Sequence, residues 1–357
     1  VTGQQDIGGR SDYLAAYSLG QPNSQLIFGG QIIPTGIPQF RNEDLKWEET
    51  TQYNIGIDYG LFDGRIGGTV EAFYKQSDDL LAFAAISDGS NFSNAGFQNN
   101  GSFIAKGLEF SVDAQLANND NFQWNINYNL TYIDTKVDQL ALGQDVIRGG
   151  IGGGTGNTIQ INREGFAPNS FYVYNQVYDT NGNPIEGAYS DLNGDNIINA
   201  NDLYIYRNPD ADVLMGFQST MNYKNFDFAF NLRASLGNYL YNNVNSSRAQ
   251  YSLLDLNGIP SNIPSSYSES LFNETANVIL SDYFIENASF LRMDNITLGY
   301  TFKDIVSTRS SIRLWTGVQN VFVITEYSGL DPEIFGGIDN TIYPRPRTYL
   351  LGANLKF

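Results

Sequence analysis

The sequence predicts an all-β fold, an antiparallel transmembrane β-barrel with long extracellular loops, and three observations carry that prediction. Segments of barrel length alternate between apolar and polar residues, the period of a strand with two different faces. The chain has no run of about 18 apolar residues, so no helix is expected to span a bilayer; a closed barrel is the other way to pair every backbone group in hydrocarbon. Short and long joints alternate between successive segments, as the two ends of an outer-membrane barrel require.

The elements follow in order. Gln52 to Gly60 sets Tyr53, Ile55, Ile57 and Tyr59 on one face and Asn54, Gly56, Asp58 and Gly60 on the other. After the turn LFDGR, Ile66, Val70, Ala72 and Tyr74 line one face of the next segment. Leu108, Phe110, Val112, Ala114 and Leu116 then oppose Glu109, Ser111, Asp113 and Gln115. Beyond ANNDN, Trp124, Ile126, Tyr128, Leu130 and Tyr132 oppose Asn125, Asn127, Asn129 and Thr131. Phe217–Tyr223 turns tightly at YKNF into Phe226, Phe228, Phe230, Leu232 and Ala234, opposite Asp227, Asn231, Arg233 and Ser235. Further segments are expected at Asn295–Phe302 and Ser311–Val323. The last, Thr348–Phe357, places Tyr349, Leu351, Ala353, Leu355 and Phe357 together.

One face is thus apolar, with aromatic residues near its ends, and the other carries Asn, Gln, Asp, Ser and Gly. A β-sandwich would bury the apolar faces against each other; a barrel turns them to lipid and keeps a polar lumen. Joint lengths favour the barrel. Those at 61–65, 118–121, 223–226 and about 303–310 are short, and those near 76–102, 134–211, 241–288 and 324–345 are long. This parity puts the long joints outside the cell and the C-terminus in the periplasm.

Composition narrows the function. The 357 residues carry a net charge of −18, which disfavours nucleic acid as a partner. Cysteine and histidine are both absent, removing disulfides, thiolate chemistry and the commonest general base. Charged residues make up 16% and aromatic residues 14%, the balance of a protein that need not be fully soluble, and the barrel reading makes outer-membrane lipids its expected surroundings. Acidic neighbours such as Asp78–Asp79 point apart in a strand and define no acid/base pair, so no enzyme activity is expected. The chain starts at Val1 with no signal-type segment after it, the expectation for a processed chain or part of a longer polypeptide.

Two stretches stand out. DLNGDNIINAND, Asp191 to Asp202, spaces oxygen donors like a calcium loop: Asp191, Asn193, Asp195, the Ile197 carbonyl and Asp202, with Asn199 acting through water. Asn196 replaces the usual glycine at the sixth place, where a left-handed turn is needed. Asp at the twelfth resembles dockerin-type loops. The expected role of calcium is to stiffen a long loop; the alternative is a set of Asx turns needing no ion. The glycine run RGGIGGGTGN, Arg148 to Asn157, lacks the ending of a phosphate loop and reads as a surface loop. Phe92, Phe97, Phe166, Phe171, Tyr172 and Tyr174 either meet a substrate or lid, or pack under their own loops.

VTGQQDIG, NEDLKWEETTQYNIGIDYGLFDGRIGGTVEAFYKQSDDLL, FSNAGFQNNGSFIAKGLEFSVDA, FLRMDNITLGYTF and LWTGVQNVFVITEYSGLDPEI occur in that order. Together they resemble the C-terminal half of the SusC/RagA family of TonB-dependent outer-membrane transporters. The resemblance implies that residues 1–357 form the C-terminal part of a barrel of about 22 strands, without its plug and first half. It implies import of oligosaccharides or peptides, driven by the TonB–ExbB–ExbD system, under a SusD-like surface lipoprotein acting as a lid. The alternative is a partial barrel that is a client or component of an assembly machine and does not transport by itself. The ending YLLGANLKF places Gly352, Leu355 and Phe357 in the spacing of the outer-membrane assembly signal read by Bam-type machinery through edge pairing; Leu350 departs from that pattern.

Overall fold

The structure, a computed structural model, describes the chain apart from residues 1, 5–12, 15, 20–24, 35, 87–88, 90–91, 94, 141–142, 152–156, 257, 275–277 and 306–308. Ten strands make one sheet: β1 (Thr2–Gln4), β2 (Glu48–Leu61), β3 (Ile66–Ala85), β4 (Ala95–Asn118), β5 (Phe122–Gln139), β6 (Val213–Tyr223), β7 (Phe226–Leu236), β8 (Phe290–Lys303), β9 (Ser311–Thr325) and β10 (Thr348–Lys356). Each pairs antiparallel with the next in the chain. The nine alternating segments are β2 to β10, and β1 adds the edge at the start.

Register turns the alternation of each strand into two continuous surfaces. Ile55, Ala72, Leu108, Tyr132, Val213 and Leu236 are successive partners across β2 to β7. This apolar surface is uncovered: Ile55 is 76% exposed and Leu351 88%. On the other face Asp113, Asn127, Gln218, Asn231, Asn295 and Gln319 are successive partners across β4 to β9. Asn127 donates to Asp113 at 2.6 Å and Asn231 to Asn295 at 3.0 Å. The sheet therefore presents its apolar face outward and its amides inward, as a membrane barrel wall must.

The sheet is open. β1 covers only Glu48–Thr50 of β2, and among the described residues neither the rest of that edge nor the outer edge of β10 has a strand partner. Rows of unpaired N–H and C=O groups are not tolerated in hydrocarbon, so both edges call for further strands.

One joint differs from the sequence reading. Residues 76–102 were expected as a long loop, but β3 and β4 run 20 and 24 residues and pair as far as Ala85–Ala95. The register slips at Ser77–Leu80, where Asp79 takes a left-handed φ of 57°. A bulge resets which residues share a face, so the period-two signal stops there although the hairpin continues. Lys46 braces the arm, with Nζ 2.6 Å from Asp79.

The buried apolar clusters lie in the long joints. The segments after β5 and after β7 meet in a cap that buries Ile159, Phe171, Val173, Tyr241, Phe272, Val278 and Phe284. Small sheets frame it: Val146–Gly150, Thr158–Asn162, Ser170–Val173 and Tyr204–Ile205 form one, and Tyr239–Asn242 pairs with Ile285–Asn287 and, in parallel, with Ile338–Asp339 from the last joint. Asp282 ties two joints together, accepting from the Tyr204 hydroxyl at 2.6 Å, Asn175 Nδ2 at 3.0 Å and the Gln176 amide at 3.0 Å.

Candidate functional site

Beneath the cap, the polar face of the wall lines an open cavity of about 1370 Å³. Asn127, Asn129, Gln218, Asn231 and Asn295 line it from the wall, and Arg148, Gln160 and Asn169 from the cap. A further part of its lining comes from the joint between β9 and β10, which brings Glu333, Phe335 and Arg345 to it.

That joint is held by a charge clamp. Arg292 on β8 is 2% exposed; its Nη2 lies 2.6 Å from Asp331 Oδ1 and its Nη1 donates to Asn320 Oδ1 at 2.8 Å. Arg345 reaches Asp331 and Glu333, each at 3.0 Å. Arg233 on β7 donates to both Asp294 oxygens, at 2.5 and 2.9 Å, and to Glu333 Oε1 at 2.9 Å. Three guanidinium groups thus face three carboxylates. A buried guanidinium is tolerable only with such partners, since desolvating it alone costs several kcal/mol, roughly the worth of a whole ion pair. The hydrogen bond from Arg233 comes first, and nearby Arg345 and Arg292 add to it, in holding the Glu333 carboxyl below its ordinary range. A bulge at Asp294, where β8 slips against both neighbours, lets the strand send Arg292, Asp294 and Asn295 all toward the chamber side.

The clamp is absent from the sequence reading. Its signal was present: FLRMDN places two opposite charges in a chain poor in charge, at the point where β8 stops alternating. The acidic partners lie in GLDPEI, roughly forty residues on, a distance no local period can bridge.

Comparison with known proteins gives the lineage. Residues 11–164 match the family model described as TonB dependent receptor-like, beta-barrel. Over its whole length the chain is 44% identical to the TonB-dependent receptor SusC of Bacteroides thetaiotaomicron, covering 37% of that protein. The chain belongs to the SusC-like TonB-dependent receptors. TonB-dependent receptor P3 of Formosa agariphila is 29% identical over 92% of the chain and is covered over 36% of its own length. The chain thus spans well under half of these relatives. The RagAB peptide transporter structure superposes at a TM-score of 0.77 with 20% identity, covering all of this chain and 40% of that one, which shows the same fold.

The residues singled out in this SusC-like chain are dispersed. The 191–202 run lies in the cap joint, tied down by its own backbone. Asp191 accepts from the Gly194 and Asn196 amides, both at 2.7 Å, and Asp195 from the Ile197 amide at 2.8 Å. Asp202 is fully buried and accepts from the amides of Leu192 at 2.9 Å, Asn193 at 3.4 Å and Asn199 at 2.9 Å. The Asn199 amide leads in holding its carboxyl below the ordinary range. Asn196 adopts φ 63°, the left-handed turn expected of the sixth place. The Asx bonds thus shape the loop, and among the described residues no group of three or more Asp or Glu side chains is gathered as a metal site.

At the C-terminus of the receptor segment, Gly352 makes room for a neighbour. A β-carbon there would stand 2.4 Å from the Trp315 ring, which lies across the strand from β9. Leu355 is 60% exposed on the apolar face and Phe357, past the end of β10, is 90% exposed. The glycine run begins in the cap strand Val146–Gly150, and its residues 152–156 lie outside the described residues. Of the loop aromatics, Phe171 is fully buried in the cap, Tyr174 stacks on Tyr189 at 4.8 Å, and Phe92 and Phe166 remain exposed.

Proposed function

We propose that this chain supplies wall, cap and substrate chamber to an outer-membrane importer of oligosaccharides or peptides. A SusD-like lipoprotein seated on the long-joint end would serve as its lid, and the TonB–ExbB–ExbD system as its energy source. The observation that carries the reading is the inversion of the wall around a roofed chamber: lipid-facing apolar side chains outside, a row of amides inside, and a packed cap above. SusC-like kinship supports the same reading, and RagAB is itself described as a peptide transporter. In this orientation the long joints are extracellular and the C-terminus periplasmic, where Bam-type machinery would read Gly352, Leu355 and Phe357. The test is energised uptake by the intact receptor in cells with and without TonB. Accumulation of an oligosaccharide or peptide that stops when TonB is removed is the expected result, and equal uptake in both strains defeats the reading.

We extend the proposal to calcium in the 191–202 loop. The donor set is all oxygen, the chemistry a hard cation prefers, and Asp191, Asn193, Asp195, the Ile197 carbonyl and Asp202 would hold it. Because the Asx bonds already set the loop, calcium would stiffen the cap without being needed to fold it. Calorimetric titration of the intact receptor should show uptake that Asp195→Ala removes; identical heats from both proteins would refute it.

A further inference from the structure

The alternation of the terminal strand does not by itself fix where that strand lies. β10 sets Tyr349, Leu351, Ala353 and Leu355 on one face, and their partners on β9 are Val318, Thr316, Leu314 and Ile312. A slip of one residue would turn this apolar row into the lumen, and every side chain resists it. A slip of two leaves both faces as they were, because the side-chain period is two. The connection does not choose between these registers either. Hairpin loops of about two to five residues fix register, and the joint over residues 326–347 is far longer than that.

What chooses is where the joint is fastened. Arg233 on β7 and Arg292 on β8 stand directly opposite each other, a position in which like charges are unfavourable. Nε of Arg292 is buried without a hydrogen-bond partner and lies 3.7 Å from Glu333 Oε2. Besides Asp294, the acids that answer this pair are Asp331 and Glu333, so the wall depends on the joint. Arg345, just before β10, grips the same two acids, each at 3.0 Å. Asn320 then fixes the start of β10. It takes a left-handed φ of 51°, accepts from Arg292 Nη1 at 2.8 Å, and donates to the Arg345 and Pro346 carbonyls at 3.0 and 3.3 Å. Its own carbonyl accepts from Arg347 Nε at 3.3 Å. The ladder between β9 and β10 ends beside it, at Gln319 and Thr348.

The two directions of slip are opposed differently. Pro344 and Pro346 lack the N–H a ladder uses, which disfavours drawing the joint into the sheet. Sliding β10 the other way, Leu351 to Val318, would pull Arg345 and Arg347 off their partners. The clamp opposes that slip, together with the fit of Gly352 against Trp315.

We propose that the clamp is the register lock of the terminal strand. Asp331, Glu333, Arg345 and Asn320 are its positioning residues, and they set the level at which Gly352, Leu355 and Phe357 stand. Such a lock serves a receptor of any cargo, so its test leaves the import reading untouched.

The chain has no cysteine, so introduced pairs report register directly. A disulfide needs β-carbons about 4 Å apart, which suits directly opposite residues and not diagonal ones, roughly 7–8 Å apart. Val318→Cys with Tyr349→Cys reads the native register, and Val318→Cys with Leu351→Cys reads the slipped one. Both pairs are placed in the intact receptor in outer membranes, with the native clamp and with Asp331→Asn plus Glu333→Gln, and cross-links are located by mass spectrometry. The native clamp should give the first cross-link alone. In the assembled, heat-modifiable fraction the neutral clamp should lower the first about three- to tenfold and raise the second. Phe171→Ala damages the cap without touching the clamp and should keep the native pattern, which separates register from mere stability. If the double variant does not reach the membrane, Glu333→Gln alone, which leaves Asp331 on Arg292, is read in its place. The native pattern in a neutral-clamp receptor overturns the proposal, as does the same slip in Phe171→Ala. Absence of both clamp variants from the membrane also overturns it, since a lock selects between two registers that each assemble.

Discussion

The wall and the cap of this receptor solve opposite problems with the same residue types. In the wall, Ile55, Ile57 and Leu351 are turned outward and uncovered, and the opposite face holds amides such as Gln218 and Asn231. In the cap, Ile159, Phe171 and Val173 are turned inward and wholly buried, as in a water-soluble domain. An apolar residue in the wall is stabilised by lipid, and one in the cap by its neighbours. The two regions should therefore respond differently to the same kind of damage.

The largest effect is expected where packing is complete. Phe171 is fully buried among side chains from two joints, so Phe171→Ala should cost the cap about 3–5 kcal/mol. The loss should stay local: hydrogen exchange should rise in residues 158–205 and 239–286, while the heat-modifiable mobility of the barrel persists. A variant that lost the barrel as well would show that wall and cap are one cooperative unit.

A somewhat smaller effect is expected from the reverse exchange. Ile55 lies on the apolar row of β2, about midway along a strand of 14 residues. Ile55→Arg should cost about 2–4 kcal/mol, because the guanidinium would face the bilayer interior. Membrane assembly measured by heat-modifiable mobility should fall, whereas an arginine in place of the inward Asn54 should be tolerated. Equal tolerance at both positions would mean that the apolar face does not meet lipid.

These differences also explain what could be read from the sequence. The wall was legible because its pattern is local: each strand states its faces within ten residues, and β2 to β10 follow from that. The β3–β4 arm was not, because the bulge at Asp79 breaks the alternation while the pairing goes on. In the cap, Phe171 and Phe284 belong to one buried cluster although more than a hundred residues separate them, and neither lies in a periodic segment. The clamp was hidden for the same reason, since Arg233, Arg292, Glu333 and Arg345 come from three places in the chain. The 191–202 run was conspicuous because its donors are spaced in sequence, and its bonds are indeed local. Gly352 drew notice as part of a terminal signal, while its contact with Trp315 needed the register of β9 and β10.

The smallest effect, and the one that separates the regions by chemistry instead of by mutation, is pH. Glu333 in the clamp and Asp202 in the cap joint both have carboxyls held below their ordinary values, by arginine and by backbone amides respectively. A depressed acid contributes stability that is complete above its unfolded pKa and is lost as pH falls through its folded one. Tyr204, also in the cap, is pushed above its ordinary value, first by burial and then by its hydrogen bond to Asp282. Its contribution is complete below the ordinary tyrosine value and is lost as pH rises toward that raised one. The outward face of the wall presents apolar side chains such as Ile55, Ile57 and Leu351, which have no proton to exchange with the solvent. Acid below the usual carboxylate range should therefore loosen cap joint and clamp, and alkali above the usual tyrosine range the cap alone, while the strands stay paired. Protease nicking confined to residues 179–202 and 329–337 in acid and to the cap joint in alkali, with the β signal in circular dichroism unchanged, is the expected result; strand loss in step with nicking would show that the cap is what keeps the wall together.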